Sequence, residues 1–231
     1  MHFQFGNLAL ILNIETSTTN CSVTLAENGK ELVSCAINDG YKHSERLMTF
    51  VNQVFVDSQR KLSDLDAIAI SEGPGSYTGL RIGVSAAKGI SYALDKPLIA
   101  INSLEIMASA VSLNHPGYDL FIPMIDARRM EVYTAVYSND LVVVDRLSAM
   151  IIDENAFRDI AETEKVIYFG DGADKCEHIF NARKNFKLLK AIMPTSIDMA
   201  SLSFKRYQMN IFESVAYFEP NYLKDFHTNN K

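Results

Sequence analysis

Three consecutive stretches decide the fold: LDAIAIS (65–71), EGPGS (72–76) and YTGLRIGVSAAKGISYAL (77–94). The first is an apolar run of strand length. The second is a glycine-rich loop. The third repeats its apolar residues at helical spacing until Asp95-Lys96-Pro97 stops it.

Working outward, residues 8–14 form another apolar run and residues 19–26 are rich in β-branched side chains. Glu27-Asn28-Gly29-Lys30 places Asn-Gly at the centre of a hairpin, and residues 31–37 return as a third strand. Leu47, Phe50, Val51 and Val54 give residues 43–55 a helical stripe, with Ser44 as candidate cap. Downstream, residues 98–101 read as a strand and Ser103 opens a helix over 104–111. Three strands, helix, strand, helix, strand make one α/β lobe.

Asn114-His115-Pro116-Gly117 interrupts this pattern, so the expected division is 1–112 and 113–231. In the second part, 120–126 and 130–137 read as hairpin partners, with a further strand at 142–147. Residues 166–169 lead into Gly170-Asp171-Gly172-Ala173-Asp174 and a helix through Ile179. Residues 196–207 read as a helix capped by Ser196 or Asp198, and the tail 218–226, containing Pro220, as extended chain. No internal repeat stands out.

The composition is that of a globular chain: 231 residues, 48% hydrophobic and 22% charged. No apolar run approaches the ~20 residues that cross a bilayer. The opening MHFQFGNLALILNIETS lacks a basic leader and a cleavage pattern, so a buried strand explains it better than a signal peptide, and a cytoplasmic location is expected. Cys21, Cys35 and Cys176 have no metal-ligand spacing and read as small buried hydrophobes. A net charge of -6 opposes tight binding of RNA by the chain alone. The basic run Arg183-Lys184-Asn185-Phe186-Lys187, with Lys190, reads as a solvated face, or else as a phosphate contact inside an assembly.

The string Gly73-Pro74-Gly75-Ser76-Tyr77-Thr78-Gly79-Leu80-Arg81-Ile82-Gly83 carries the strongest local signal. A glycine loop opening a helix is a ready anion site. Yet the third glycine of a dinucleotide fingerprint comes one residue late, and Gly79 is followed by Leu80 rather than a Walker lysine. The helix itself carries small residues on one stripe: Gly79, Gly83, Ala86 and Ala87, continued by Ile90. Each interior glycine costs about 1 kcal/mol against alanine, so close packing must offset it. Two surfaces fit: a neighbouring element of the same chain, or a helix of a partner.

Ile14-Glu15-Thr16-Ser17-Thr18-Thr19 is a hydroxyl-rich turn, able to cradle phosphate or to serve as an ordinary polar turn. Ile125-Asp126-Ala127-Arg128-Arg129 ends a strand with an acid and two bases, which fits a structural Asp–Arg pair or a metal-bridging carboxylate. His2, His43, His115, His178 and His227 are scattered, none at i+3 or i+4 from another. No nucleophile elbow and no H-E-x-x-H occurs.

With Ile14 to Ser17, His43-Ser44-Glu45-Arg46-Leu47, Gly73 to Gly83, Ile125 to Arg128 and the tail Glu219-Pro220-Asn221-Tyr222-Leu223-Lys224, the sequence resembles the TsaB (YeaZ) family. These are dimerisation subunits of the bacterial threonylcarbamoyladenosine machinery. The likeness is loose between residues 141 and 199.

The resemblance implies an actin/sugar-kinase/Hsp70-like (ASKHA) α/β fold of two related lobes, each with a mixed sheet and helices. It implies a non-catalytic subunit that pairs with a TsaD-like catalytic subunit and a TsaE-like ATPase, in threonylcarbamoyl transfer to the adenosine beside the anticodon of tRNAs reading A-starting codons. A homodimer is expected when the chain is alone, with tRNA met only through the complex. The partner surface implied lies on the first two long helices, through His43, Leu47, Tyr77, Gly79, Gly83, Ala86, Ala87 and Ile90.

Where catalytic relatives carry an H-x-E-x-H metal motif, this chain has Ser103, Glu105 and Met107, so neither a metal nor a catalytic residue is expected. Where related folds place a phosphate-hairpin aspartate it has Glu15, leaving Glu15, Thr16, Ser17 and Asp126 as a degenerate nucleotide set. No cofactor is expected on the isolated chain, with ATP or ADP reserved for the complex. The rival reading is an active ATPase or phosphotransferase of the same fold using Thr16, Ser17 and Asp126.

Overall fold

The computed structural model describes residues 8–40 and 42–224. His2, His227 and the ends of the apolar opening and of the 218–226 tail lie outside the described residues. Two compact units emerge, each built on one sheet.

In the first unit, β1 (Leu10–Glu15), β2 (Asn20–Glu27), β3 (Lys30–Asn38), β4 (Ala67–Gly73) and β5 (Leu98–Asn102) form a five-stranded sheet in the order β3-β2-β1-β4-β5. Strand β1 is antiparallel to β2 and parallel to β4, so the sheet is mixed. The β2–β3 turn puts Asn28 at φ 55° and Gly29 at φ 76°, the left-handed pair that Asn-Gly supplies at least cost.

Strand β1 uses its two-residue period on both faces. Leu10, Leu12 and Ile14 enter a core with Leu47, Val51, Val54 and Phe55 of α1 (His43–Ser58) and with Val84 and Ala87 of α2 (Tyr77–Leu94). Asn13 points the other way, where its Oδ1 accepts from Ser203 Oγ at 2.6 Å.

In the second unit, α3 (Ser103–Asn114) precedes β6 (Leu120–Asp126), β7 (Glu131–Ser138), β8 (Val143–Ile151), β9 (Val166–Phe169), α4 (Glu177–Phe180) and β10 (Phe186–Leu189). Sheet order is β10-β9-β6-β7-β8, with β6 antiparallel to β7 and parallel to β9. Read in chain order within each unit, both sheets run third, second, first, fourth, fifth. A duplicated mixed sheet of this order is the two-lobed ASKHA architecture that the resemblance implies. Helix α5 (Ala200–Gln208) follows β10 and packs on β1 and β3.

Several expectations change. Of the described residues, the first unit holds 8–40, 42–72, 78–101 and 195–220, and the second holds 73–77, 102–194 and 221–224. The division expected after residue 112 therefore falls at 101/102, because α3 buries its face on β6 and β7. Residues 195–220 return to the first unit, where Ser196 N–H donates to Ser22 Oγ at 2.9 Å. Ser196 thus serves tertiary contact rather than a cap, and α5 starts at Ala200. Helix α1 begins one residue before Ser44, with Lys42 at its cap position and no side-chain capping bond.

The basic run also contains β10. Phe186 and Leu188 pack against the second core while Lys187 is exposed, an alternation masked in the sequence by three cations. Of the cysteines, Cys21 and Cys176 are buried, whereas Cys35 is only half-buried.

Candidate functional site

The turn after β1 is enclosed. Glu15, Thr16 and Ser17 are each 0% exposed. Ser17 N–H donates to Glu15 Oε1 at 2.5 Å, and Thr16 N–H to Ser71 Oγ at the end of β4 at 3.4 Å. Among the described residues, Glu15 Oε2, Thr16 Oγ1 and Ser17 Oγ have no hydrogen-bond partner. Burial pushes the Glu15 carboxyl up to about 7, against smaller opposing contributions from Ser17, Ser71 and the Thr16 backbone. One oxygen of this carboxyl group is held by its own turn.

The small stripe of α2 faces this turn. A Cβ on Gly83 would stand 2.1 Å from Thr16 Oγ1 and 3.0 Å from Ile70 Cδ1. Gly79, Gly83 and Ala87 are buried within their own unit. Of the two surfaces that fit the stripe, the same chain supplies the one that meets these residues. Their burial means that they add little to the exposed surface of this chain. His43 is buried as well, and its Nε2–H donates to Thr18 O at 2.9 Å. Tyr77 packs against Tyr222, with ring centroids 4.9 Å apart and the rings tilted by 38°. Ile90 packs half-buried against the first core.

Leu47 and Ala86 belong to a different arrangement. With Ser44, Met48, Arg81, Ile82 and Ser85 they line an open groove of about 550 Å³ between α1 and α2. Met48 is 53% exposed on its wall. Sequence reasoning missed Ser44, Met48, Arg81, Ile82 and Ser85. The available signal was that Met48 and Ile82 are apolar just off the stripes that pack inward.

In the second unit, Asp126 is exposed and pairs with Lys175, while its Oδ1 accepts Arg128 N–H at 3.1 Å. The expected Asp–Arg pair is thus an Asp–Lys pair, because Lys175 arrives from the loop after β9. Gly170 and Gly172 let that loop approach: Cβ atoms there would stand 2.2 Å from Met124 O and 3.1 Å from Asp126 N. Asp171, whose carboxyl is raised chiefly by burial, accepts Asp126 N–H at 3.0 Å.

Ser103 and Met107 are buried in α3, Met107 as part of an apolar cluster with Phe121 and Ile167. Among the described residues, no group of three His, Cys, Asp or Glu side chains is placed to hold a metal. The basic run is largely engaged. Arg183 donates to Phe157 O at 3.0 Å and lies over the Phe186 ring at 5.0 Å, and Lys190 pairs with Glu177 at 2.8 Å.

These features have known counterparts. Residues 40–227 match the model of the TsaD family, tRNA N6-adenosine threonylcarbamoyltransferase. The chain belongs to the TsaD family. Within it, the likeness that runs the length of the chain is to TsaB (YeaZ) proteins. The tRNA threonylcarbamoyladenosine biosynthesis protein TsaB of Haemophilus influenzae is 28% identical over 95% of this chain and 94% of its own.

TsaB of Bacillus subtilis is 38% identical over 55% of this chain, a match spanning 54% of that protein, about half its length. A TsaD-family transferase of Staphylococcus aureus is 32% identical over 63% of this chain and 45% of that protein. The solved structure of YeaZ from Pseudomonas aeruginosa superposes with a TM-score of 0.79 at 25% identity, covering 93% of this chain and 100% of that one. No helix among the described residues of this TsaD-family chain is long and apolar enough to cross a membrane.

Proposed function

We propose that this chain is a non-catalytic subunit of tRNA threonylcarbamoyladenosine synthesis, pairing through the α1–α2 groove with a TsaD-type catalytic subunit. The groove is the observation that carries the reading. Its wall residue Met48 is half-exposed, and Ile82 and Ala86 are only partly covered. Exposed apolar surface of this kind is characteristic of partner sites. The relatives' names supply the pathway.

Absence of catalysis is supported by α3, where Met107 and Ser103, at the positions to which the resemblance would assign metal ligands, are buried, Met107 in an apolar cluster. Burial favours the neutral form of Glu15, and Asp126 is matched by Lys175. Both points weigh against an active phosphotransferase. The proposal includes pairing with a TsaE-type ATPase, a cytoplasmic setting, self-association through the same groove when the partner is missing, and ATP or ADP held only in the complex.

The test is co-purification with the TsaD-type subunit. Met48→Asp with Ile82→Arg should abolish co-elution and tRNA modification while the melting temperature stays unchanged. Co-elution retained by that folded variant would sink the groove assignment. Calorimetry of the isolated chain with ATP and magnesium should register no sub-millimolar binding.

A further inference from the structure

The β6–β7 hairpin has an unusual tip. Ala127 N–H donates to Glu131 O and Glu131 N–H to Arg128 O, each at 3.1 Å. Within that closure Arg128 adopts φ 71° and Arg129 φ 49°. Left-handed backbone costs a non-glycine residue about 1 kcal/mol, which is why Asn or Gly normally occupies such positions. Two consecutive arginines there need a reason other than the turn.

The surroundings point to one. The acids of the hairpin are already matched: Asp126 pairs with Lys175, whose Nζ also donates to Glu131 O at 2.7 Å, and Glu131 pairs with Lys224. The exposed guanidiniums of Arg128 and Arg129 have no counter-ion among the described residues. Two unmatched positive charges therefore stand at a tip fixed by its own hydrogen bonds and by the Gly170–Gly172 approach.

The Lys224–Glu131 pair also ties an aromatic side chain to this hairpin. Tyr222 packs against Tyr77 with its ring tilted by 38°, stays 36% exposed, and precedes Lys224 by two residues. Lys224 and Arg128 both lie within electrostatic reach of the half-buried Tyr133 hydroxyl, opposing the burial that raises it. All these groups belong to the second unit.

We propose that the Arg128–Arg129 hairpin, with Tyr222, is a contact for single-stranded RNA, the guanidiniums taking phosphates and the tyrosine offering a stacking surface. Guanidinium forks match phosphate oxygens in pairs, and aromatic faces accept unpaired bases without regard to sequence. An acidic protein would satisfy the charges but leave the tyrosine pair unexplained. The inference rests on the reading of this chain as part of a tRNA-modifying assembly. A net charge of -6 limits the contact to a local one, weak in the isolated chain and measurable there at low salt.

The test replaces Arg128→Asn together with Arg129→Gly, which removes both charges and relieves the left-handed backbone. In the reconstituted complex with TsaD- and TsaE-type subunits, KM for tRNA should rise about tenfold while assembly by gel filtration is unchanged. The dependence of log KM on log salt should flatten by about 1.4, near 0.7 for each of two lost phosphate contacts. Unchanged KM and salt slope would overturn the proposal, and loss of assembly would overturn it in favour of a protein contact.

Fluorescence anisotropy of a labelled anticodon stem-loop with the isolated chain at low salt gives an independent reading. The variant should bind about tenfold more weakly, whereas equal binding overturns the proposal. Should the unaltered chain fail to assemble with a TsaD-type subunit, the proposed function falls while anisotropy still decides the RNA contact.

Discussion

The inner and outer faces of α2 both carry glycine and alanine, and they do so for opposite reasons. On the inner face, Gly83 lies so close to the β1 turn that a single added carbon would collide with Thr16 Oγ1. On the outer face, a Cβ on Gly89 would meet nothing within 4 Å. The inner face is a close contact between helix and turn. The outer face, with Ile82 and Ala86, is a wall of the open groove. Small residues in a helix thus identify close approach only where something actually approaches.

Gly83→Leu presses hardest on this contrast. Overpacking a filled interior costs about 1–3 kcal/mol, and here the obstacle includes the helix-facing turn itself, so the upper end or beyond is expected. Chemical denaturation measures it, and a loss under 1 kcal/mol would mean that the turn yields easily.

Glu15→Gln probes the turn that Gly83 packs on. Burial raises the folded-state Glu15 pKa from 4.5 to about 7. The folded protein therefore holds this proton more tightly than the unfolded chain, and the stability so gained is fully present below about pH 4.5. It is lost as pH rises toward and through about 7. The advantage of Glu15→Gln over the parent should grow across that window, to on the order of 3 kcal/mol at its upper limit. Parallel stability curves for the two proteins between pH 4 and 8 would show that Glu15 is not the group responsible.

Ile82→Arg, on the outer face, should leave the unfolding midpoint in place and weaken pairing with a TsaD-type subunit at least tenfold, about 1.4 kcal/mol. Equal losses of stability and pairing would erase the distinction between the faces. The smallest effect belongs to Gly89→Ala, which should raise stability by up to about 1 kcal/mol through helix propensity alone. A destabilising Gly89→Ala would reveal a contact on the outer face.

How much of this was legible beforehand differs from element to element. Strands β1, β4 and β9 and helix α2 follow from apolar runs, period and turn chemistry, because their local signals agree with their tertiary roles. Strand β10 was hidden because Lys184, Lys187 and Lys190 surround its inward-facing Phe186 and Leu188. Helix α5 was read too long, since Ser196 spends its hydroxyl and N–H on β2 instead of on a cap.

For the site, the sequence singled out the right helix but left the orientation of its stripe open. Periodicity states which residues share a face; it does not state what lies opposite. Likewise Asp126 was recognised as needing a cation, while Lys175, 49 positions along the chain, could be assigned only from the fold.

By itself, then, the sequence determined the two-lobed α/β architecture and the family, since both are written in local patterns and in an extended run of glycine-rich sequence. Tertiary structure alone decided that Gly79, Gly83 and Ala87 face inward, that Glu15 is sealed in its turn, and that the open apolar surface lies between α1 and α2. Those facts depend on which distant residues fill the space opposite each face, and no spacing along one chain encodes that.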